Sequence, residues 1–305
     1  MNVITIDSGG SKIHGAVINE KRELLDIIRT DVTVYDGDFF VDAYCKIIET
    51  FAVKYDTKAV GIGCNGRMNK NQDMVLEYSG NFRNWVNRPI CKELEEKFGF
   101  PVCLENDCRA AVVGEMWGGA ADGCKDVLGL IVGTGLGGCY FNDSTLVAGW
   151  RNMAGEVGHG VLYPDGRLCS CGQRGCVERY ISGTALWMGY NELSTASRIE
   201  SGYAFFERIR QEDAVAKTVL ERFIADFSVF LITCANFFDP QLILVGGGLA
   251  DTCQFWWDDL IRLYRENGVP HDDYVPIVTA KYGNHAALYG MAQIALQLCN
   301  QRGIV

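Results

Sequence analysis

The order of apolar and polar positions predicts an α/β chain. Residues 3–6 form a short apolar run that reaches Asp7 and a glycine pair, and apolar residues resume over 13–18, which reads as strand, tight turn and strand. Helical spacing of apolar residues follows over 39–54 and 90–98, with strands expected at 59–64 and 102–105. Residues 106–117 read as a helix whose first residues, Asn106 and Asp107, sit at the end of a strand, where polar side chains face a strand-end crevice.

A second strand-turn-strand unit is expected where the buried run VLGLIVG from Val127 leads into Gly135, Gly137 and Gly138 and then into CYFND. It looks like a diverged copy of the unit around Asp7. Residues 149–177 are rich in glycine and cysteine and lack periodicity, which predicts an irregular insertion held by something other than a core. Residues 214–238 predict a long helix stopped by Asp239 and Pro240. The strand QLILV then runs into Gly246, Gly247 and Gly248, and a last helix is expected at 286–298.

Composition narrows the class. At 305 residues, 48% hydrophobic and 22% charged, the chain has the balance of a globular protein with a sizeable core. A formal charge of -10 disfavours a large surface for nucleic acid. The start lacks a basic leader, and no window approaches the ~18 to 20 apolar residues of a membrane span, so the cytoplasm is the expected compartment. Thirteen cysteines then imply reduced thiols rather than a disulfide framework.

Three of these cysteines stand apart. Cys169, Cys171 and Cys176 follow a C-x-C-x4-C spacing, with His159 ten residues before the first. Three thiolates and an imidazole suit tetrahedral zinc with no open position, hence a structural ion. Unliganded cysteines in a loop, or an iron-sulfur cluster with a histidine ligand, are the alternatives. Glu156 and Glu178 flank the four ligands.

No Gly-Lys pair occurs, which excludes a Walker-type phosphate loop. Two stretches match G-x-G-x-x-G, at Gly61, Gly63 and Gly66 and at Gly133, Gly135 and Gly138, but neither is followed by helical periodicity, so a dinucleotide fold is disfavoured. Glycine turns between strands bind phosphate through backbone N–H groups. The candidates are Asp7, Ser8, Gly9, Gly10 and Ser11, and Gly133, Thr134, Gly135, Leu136 and Gly137; as alternatives, both are ordinary hairpins. Asp7 is placed either to hold magnesium or to shape its turn. Lys12 contacts phosphate or is a surface lysine. Gly246, Gly247 and Gly248 permit close approach of a flat group such as adenine.

Taken together, DSGGSK at 7–12, ENDCRAA at 105–111, GTGLGG at 133–138, AGEVGHG at 154–160 and CSCGQRGCVE at 169–178 resemble the ROK family of sugar kinases and repressors. The resemblance implies an actin-like, hexokinase-like (ribonuclease H-like) ATPase fold of two α/β domains about a cleft. The smaller domain would comprise 1–118 and 287–305, and the larger one 119–286. It implies Asp107 as the base that deprotonates the attacking sugar hydroxyl, with Asn106, Glu156, His159 and Glu178 as sugar contacts. Asp7 and the two glycine turns would form the Mg-ATP site. Gly66, with Arg67 and Asn69, resembles the stretch of N-acetylmannosamine kinases that accommodates an acetamido group.

The expected activity is ATP-dependent phosphorylation of a hexose or N-acetylhexosamine at its 6-hydroxyl, with glucose first, by a homodimer or homotetramer using ATP, Mg2+ and structural Zn2+. The competing readings are a non-enzymatic sugar sensor of the family and an ATPase of the same fold acting on a non-sugar partner. The chain departs from the family pattern at Ser8 and Ser11 of the first turn, and at Cys108 and Arg109 after the catalytic pair, where smaller or amide residues are common.

Overall fold

Val3, Ile4, Ile6, Ile13, Val17 and Ile18 are fully buried as β1 (Asn2–Ser8) pairs antiparallel with β2 (Lys12–Asn19). The edge strand β3 (Leu24–Asp31) alternates half-buried and exposed positions. Helix α1 (Gly37–Ala52) starts at Asp36, whose side chain accepts from the Asp38 N–H. β4 (Thr57–Cys64) runs parallel to β1, and a short hairpin follows, β5 (Arg67–Met68) and β6 (Val75–Glu77). Helix α2 (Ile90–Phe98) ends on Gly99 in the left-handed region, φ 74°. β7 (Val102–Asn106) lies parallel to β4, and helix α3 (Asp107–Met116) leaves from its end. The sheet order is β3-β2-β1-β4-β7.

The second sheet repeats this plan. β8 (Val127–Val132), β9 (Leu136–Asn142) and β10 (Thr145–Leu146) are antiparallel neighbours. Helices α4 (Gly183–Leu193), α5 (Gly202–Arg210) and α6 (Ala214–Phe238) precede β11 (Leu242–Gly246), and α7 (Trp257–Asn267) precedes β12 (Ile277–Thr279). The order β10-β9-β8-β11-β12 again puts two parallel strands beside three antiparallel ones. The diverged pair expected from the glycine turns is therefore a repeated topology.

The computed structural model describes residues 1–77, 83–195, 198–269 and 273–304. It divides into one unit of Met1–Gly123, Ala148–Ala154 and Asn284–Val305, and another of Cys124–Val147 and Gly155–Gly283. Each has its own apolar core, one under β1, β4 and α1, the other around α6, β8 and β11. Ala148–Ala154 falls inside the stretch expected in the larger domain, yet it packs with the first unit. The reason is polar: Asn152 donates to the Met68 carbonyl at 3.1 Å and accepts from Arg109 at 2.7 Å.

The last helix, α8 (Ala286–Gln301), packs on α3 in the first unit. Contact is at the backbone, since a Cβ on Gly290 would lie 1.7 Å from the Ala110 carbonyl oxygen and one on Gly114 2.1 Å from that of Ala286. Only glycine fits at either position.

Candidate active site and metal centre

In the first unit, parallel β1, β4 and β7 bring their carboxyl ends into line. Asp7 stands beside Gly63, which stands beside Glu105, and one step further Ser8, Cys64 and Asn106 are abreast. Such strand ends are where open α/β sheets bind ligands. Asn106 caps α3, its side-chain oxygen accepting from the Cys108 and Arg109 N–H groups at 3.0 and 3.2 Å, while its amide donates to the Gly66 carbonyl at 3.3 Å. Asp107 is the first helical residue and accepts from the Cys108 N–H at 2.9 Å. The capping work thus falls to Asn106 and leaves Asp107 at the start of the helix.

Three carboxylates crowd these strand ends. Protein atoms packed around Asp7, and then the charge of Asp107, push its pKa up to about 7. Burial raises that of Glu105, opposed by the Asn106 N–H, Arg109 and Gln72. Cys64 lies among all three and is driven well up, first by burial and then by Asp107, Glu105 and Asp7, so its thiol is inert.

The first glycine turn is a hairpin closed by the Gly9 N–H on the Lys12 carbonyl at 3.0 Å. Its outer face is open: a Cβ on Gly10 would meet nothing within 4 Å, and Ser11 and Lys12 are exposed. Ser8, unlike its neighbours in the turn, is buried and accepts from the Tyr44 hydroxyl at 2.7 Å.

In the second unit, the Gly133 N–H closes the turn on the Gly135 carbonyl at 2.9 Å, and the Gly183 N–H of α4 grips the Gly133 carbonyl at 2.8 Å. Gly133, Thr134 and Gly248 line one cavity of about 530 Å³ together with Thr184, Tyr203 and Arg210. The N-terminal ends of α4 and α5, capped by Ser182 and Ser201, both reach it through Gly183 and Gly202, which makes it favourable for anions. Gly246 is a β11 residue packed between Ile131 and Ala280, Gly247 abuts the Val132 carbonyl, and Gly137 is a β9 residue paired with Ile131. Thr184, Tyr203 and Arg210 escape sequence reasoning; the serine caps at 182 and 201 were the available signal.

The irregular insertion is organised by its cysteines. The sulfur and nitrogen atoms of His159, Cys169, Cys171 and Cys176 all lie within 4.8 Å of one another. Cys171 and Cys176 sulfurs are 3.6 Å apart, and the Cys169 sulfur is 3.8 Å from His159 Nδ1. A tetrahedron with metal–sulfur bonds of about 2.3 Å has edges of about 3.8 Å, which these two pairs match, so the donor set suits zinc. Glu178 Oε1 accepts from the Cys169 thiol at 3.0 Å and lies 4.0 Å from His159 Nδ1. Glu178 Oε2 would be 2.9 Å from a Cβ on Gly135, so the cysteine-rich insertion touches the glycine turn. Glu156 precedes the short helical turn Val157–His159, and the His159 N–H closes back on its carbonyl at 3.1 Å. Arg167 pins the loop from outside, donating to the Arg179 carbonyl at 2.7 Å and pairing with Glu192 at 2.6 Å.

The glucokinase of Streptomyces coelicolor is 32% identical over 312 residues, covering 96% of each chain. The N-acetyl-D-glucosamine kinase of Mannheimia succiniciproducens is 30% identical over 303 residues, covering 95% of this chain and 98% of that one. The crystal structure of a ROK family glucokinase from Streptomyces griseus, in complex with glucose and AMPPNP, superposes with a TM-score of 0.84 at 31% identity, over 97% of this chain and 100% of that one. The fold is thus the actin-like, hexokinase-like ATPase fold. The ROK family profile matches residues 3–298, and the chain belongs to the ROK family.

Proposed function

We propose that the chain is an ATP-dependent kinase that phosphorylates a hexose or N-acetylhexosamine at the 6-hydroxyl, with glucose the first choice. The observation that carries this reading is Asp107, a carboxylate opening α3 at the end of a parallel strand, close enough to Asp7 to raise its pKa. Phosphoryl transfer asks a protein for position and charge stabilisation, plus a base for the attacking hydroxyl. The sugar and N-acetyl-sugar kinases among the relatives support a sugar acceptor, and the AMPPNP-bound glucokinase supports ATP as donor.

In this reading Asp107 takes the proton of the sugar hydroxyl onto its carboxylate. Asn106, Glu156, His159, Glu178 and the Gly66 segment orient the remaining hydroxyls by directional hydrogen bonds. Asp7 holds Mg2+, which neutralises phosphate charge. Gly9, Gly10, Ser11 and Lys12 meet phosphate, and so does the turn Gly133–Thr134–Gly135, in the cavity that Gly248 lines beside the base. His159, Cys169, Cys171 and Cys176 hold a structural Zn2+. With Nδ1 toward the thiols, His159 keeps Nε2 for a hydroxyl.

The test is sugar-dependent ADP release over glucose, N-acetylglucosamine, N-acetylmannosamine, fructose, mannose and allose, with the phosphorylated position read by NMR. Release with no sugar of this set, at millimolar concentration with Mg-ATP, would overturn the proposal.

A further inference from the structure

Arg109 is a charged side chain buried to 5% exposure, in the first turn of the helix that Asp107 begins. Both terminal nitrogens of its guanidinium are engaged. Nη1 donates to the Asn152 side-chain oxygen at 2.7 Å and lies 3.8 Å from Glu105, while Nη2 donates to the backbone carbonyls of Asn152 and Ala154 at 3.0 and 3.2 Å. Asn152 sits in the left-handed region, φ 57°, so its own side chain can turn the other way and donate to the Met68 carbonyl at 3.1 Å. The same two segments meet twice more, through Arg67 on the Arg151 carbonyl at 3.2 Å and Lys70 over the Trp150 ring at 4.3 Å.

We infer that Arg109 is a positioning residue for sugar recognition, which clamps the Ala148–Ala154 segment and, through Asn152, the Met68 turn against the start of the Asp107 helix. The arrangement has a physical reason. Asn106 reaches the Gly66 carbonyl at 3.3 Å, so the turn after β4 and the helix start are already linked on one side. Arg109 closes the other side. A buried guanidinium that spends its donors on carbonyls stabilises one backbone geometry and penalises others, because any shift strands a desolvated charge. Lysine cannot replace it, since the contacts need two nitrogens of a planar fork.

This inference rests on the reading of Asn106, Asp107 and the Gly66 segment as sugar-side groups. Arg109→Ala should raise the sugar KM about tenfold or more, with the ATP KM within about twofold and a smaller change in kcat. A merely structural role would reduce the active fraction, lowering kcat with both KM values unchanged. Arg109→Lys should behave like Arg109→Ala, whereas millimolar guanidinium should restore the sugar KM of Arg109→Ala. Asn152→Gly, which keeps the left-handed backbone, should give the same rise, and the double variant should be no worse than either single one. If the arginine variants fail to fold, Asn152→Gly alone decides.

An unchanged sugar KM in Asn152→Gly or Arg109→Ala, or equal rises for sugar and ATP, would overturn the inference. If the wild-type chain phosphorylates no sugar, the parent reading falls and takes this one with it. If wild type is active and Asp107→Asn is not, a wild-type sugar KM in Arg109→Ala sinks this inference alone.

Discussion

Cys169 donates its thiol proton to Glu178 at 3.0 Å. Burial, and then this hydrogen bond, hold the Cys169 pKa up to about 12, so in the metal-free protein one oxygen of Glu178 is engaged by sulfur. A metal ligand must be a thiolate, which has no proton to give, and Glu178 is then released toward other donors. Purified protein should carry about one zinc per chain. Chelation should raise the sugar KM before the ATP KM, and Cys171→Ser should do the same. Elemental analysis with two-substrate kinetics checks this; equal rises in both KM values would count against a metal that orders a sugar loop.

Asp107→Asn keeps the shape of the first helical turn and removes the proton acceptor. The turnover number should fall by about 10² to 10⁴-fold. Calorimetric affinities for sugar and ATP should stay close to wild type, because Asn106, not Asp107, caps the helix.

Asp7 predicts a pH dependence. Its pKa is pushed up to about 7, and Mg2+ requires the ionised form, so protons compete with the cation below that value. Each unit of pH below about 7 should raise the Mg2+ concentration for half-maximal rate about tenfold, with a plateau above. In the metal-free protein the folded state binds the proton more tightly than the unfolded chain does between the ordinary carboxyl value of 3.8 and about 7. Stability therefore falls as pH rises through that window. Asp7→Asn should raise the metal-free melting temperature at pH 8 while abolishing turnover; a lower melting temperature would contradict this account.

Gly290 and Gly248 should respond oppositely to alanine. At Gly290 the new Cβ would meet the Ala110 carbonyl at 1.7 Å, and the helices must separate, at a cost of about 3 kcal/mol or more in urea unfolding. At Gly248 it would meet nothing within 4 Å. Gly248→Ala should change stability by less than about 0.5 kcal/mol and raise the ATP KM several-fold without affecting sugar.

What the sequence made legible follows the range of the interactions. Helices α2 and α6 stand where periodicity places them, since Gly99, Asp213 and Asp239 mark their ends locally. The clustering of the cysteines was readable because Cys169, Cys171 and Cys176 are neighbours in the chain. β3 went unread: it is an edge strand whose LLDIIRTD alternates half-buried with exposed residues, and charge dilutes the apolar signal. α4, which follows the glycine-rich insertion, starts with Gly183 and gives no apolar stripe. Arg109 looked like a local departure after the catalytic pair. Its partner Asn152 lies 43 residues away, and only the folded chain reveals that the two belong together.

The glycine contact between α3 and α8 bears on biosynthesis. Helix α8 is needed to finish packing the sheet whose strands are made first, yet the whole of Gly155–Gly283 is translated between α3 and α8. On the ribosome the later unit can therefore complete its core while the earlier one still waits for its closing helix. The nascent first unit spends that interval with the α3 and strand surfaces that α8 later covers exposed.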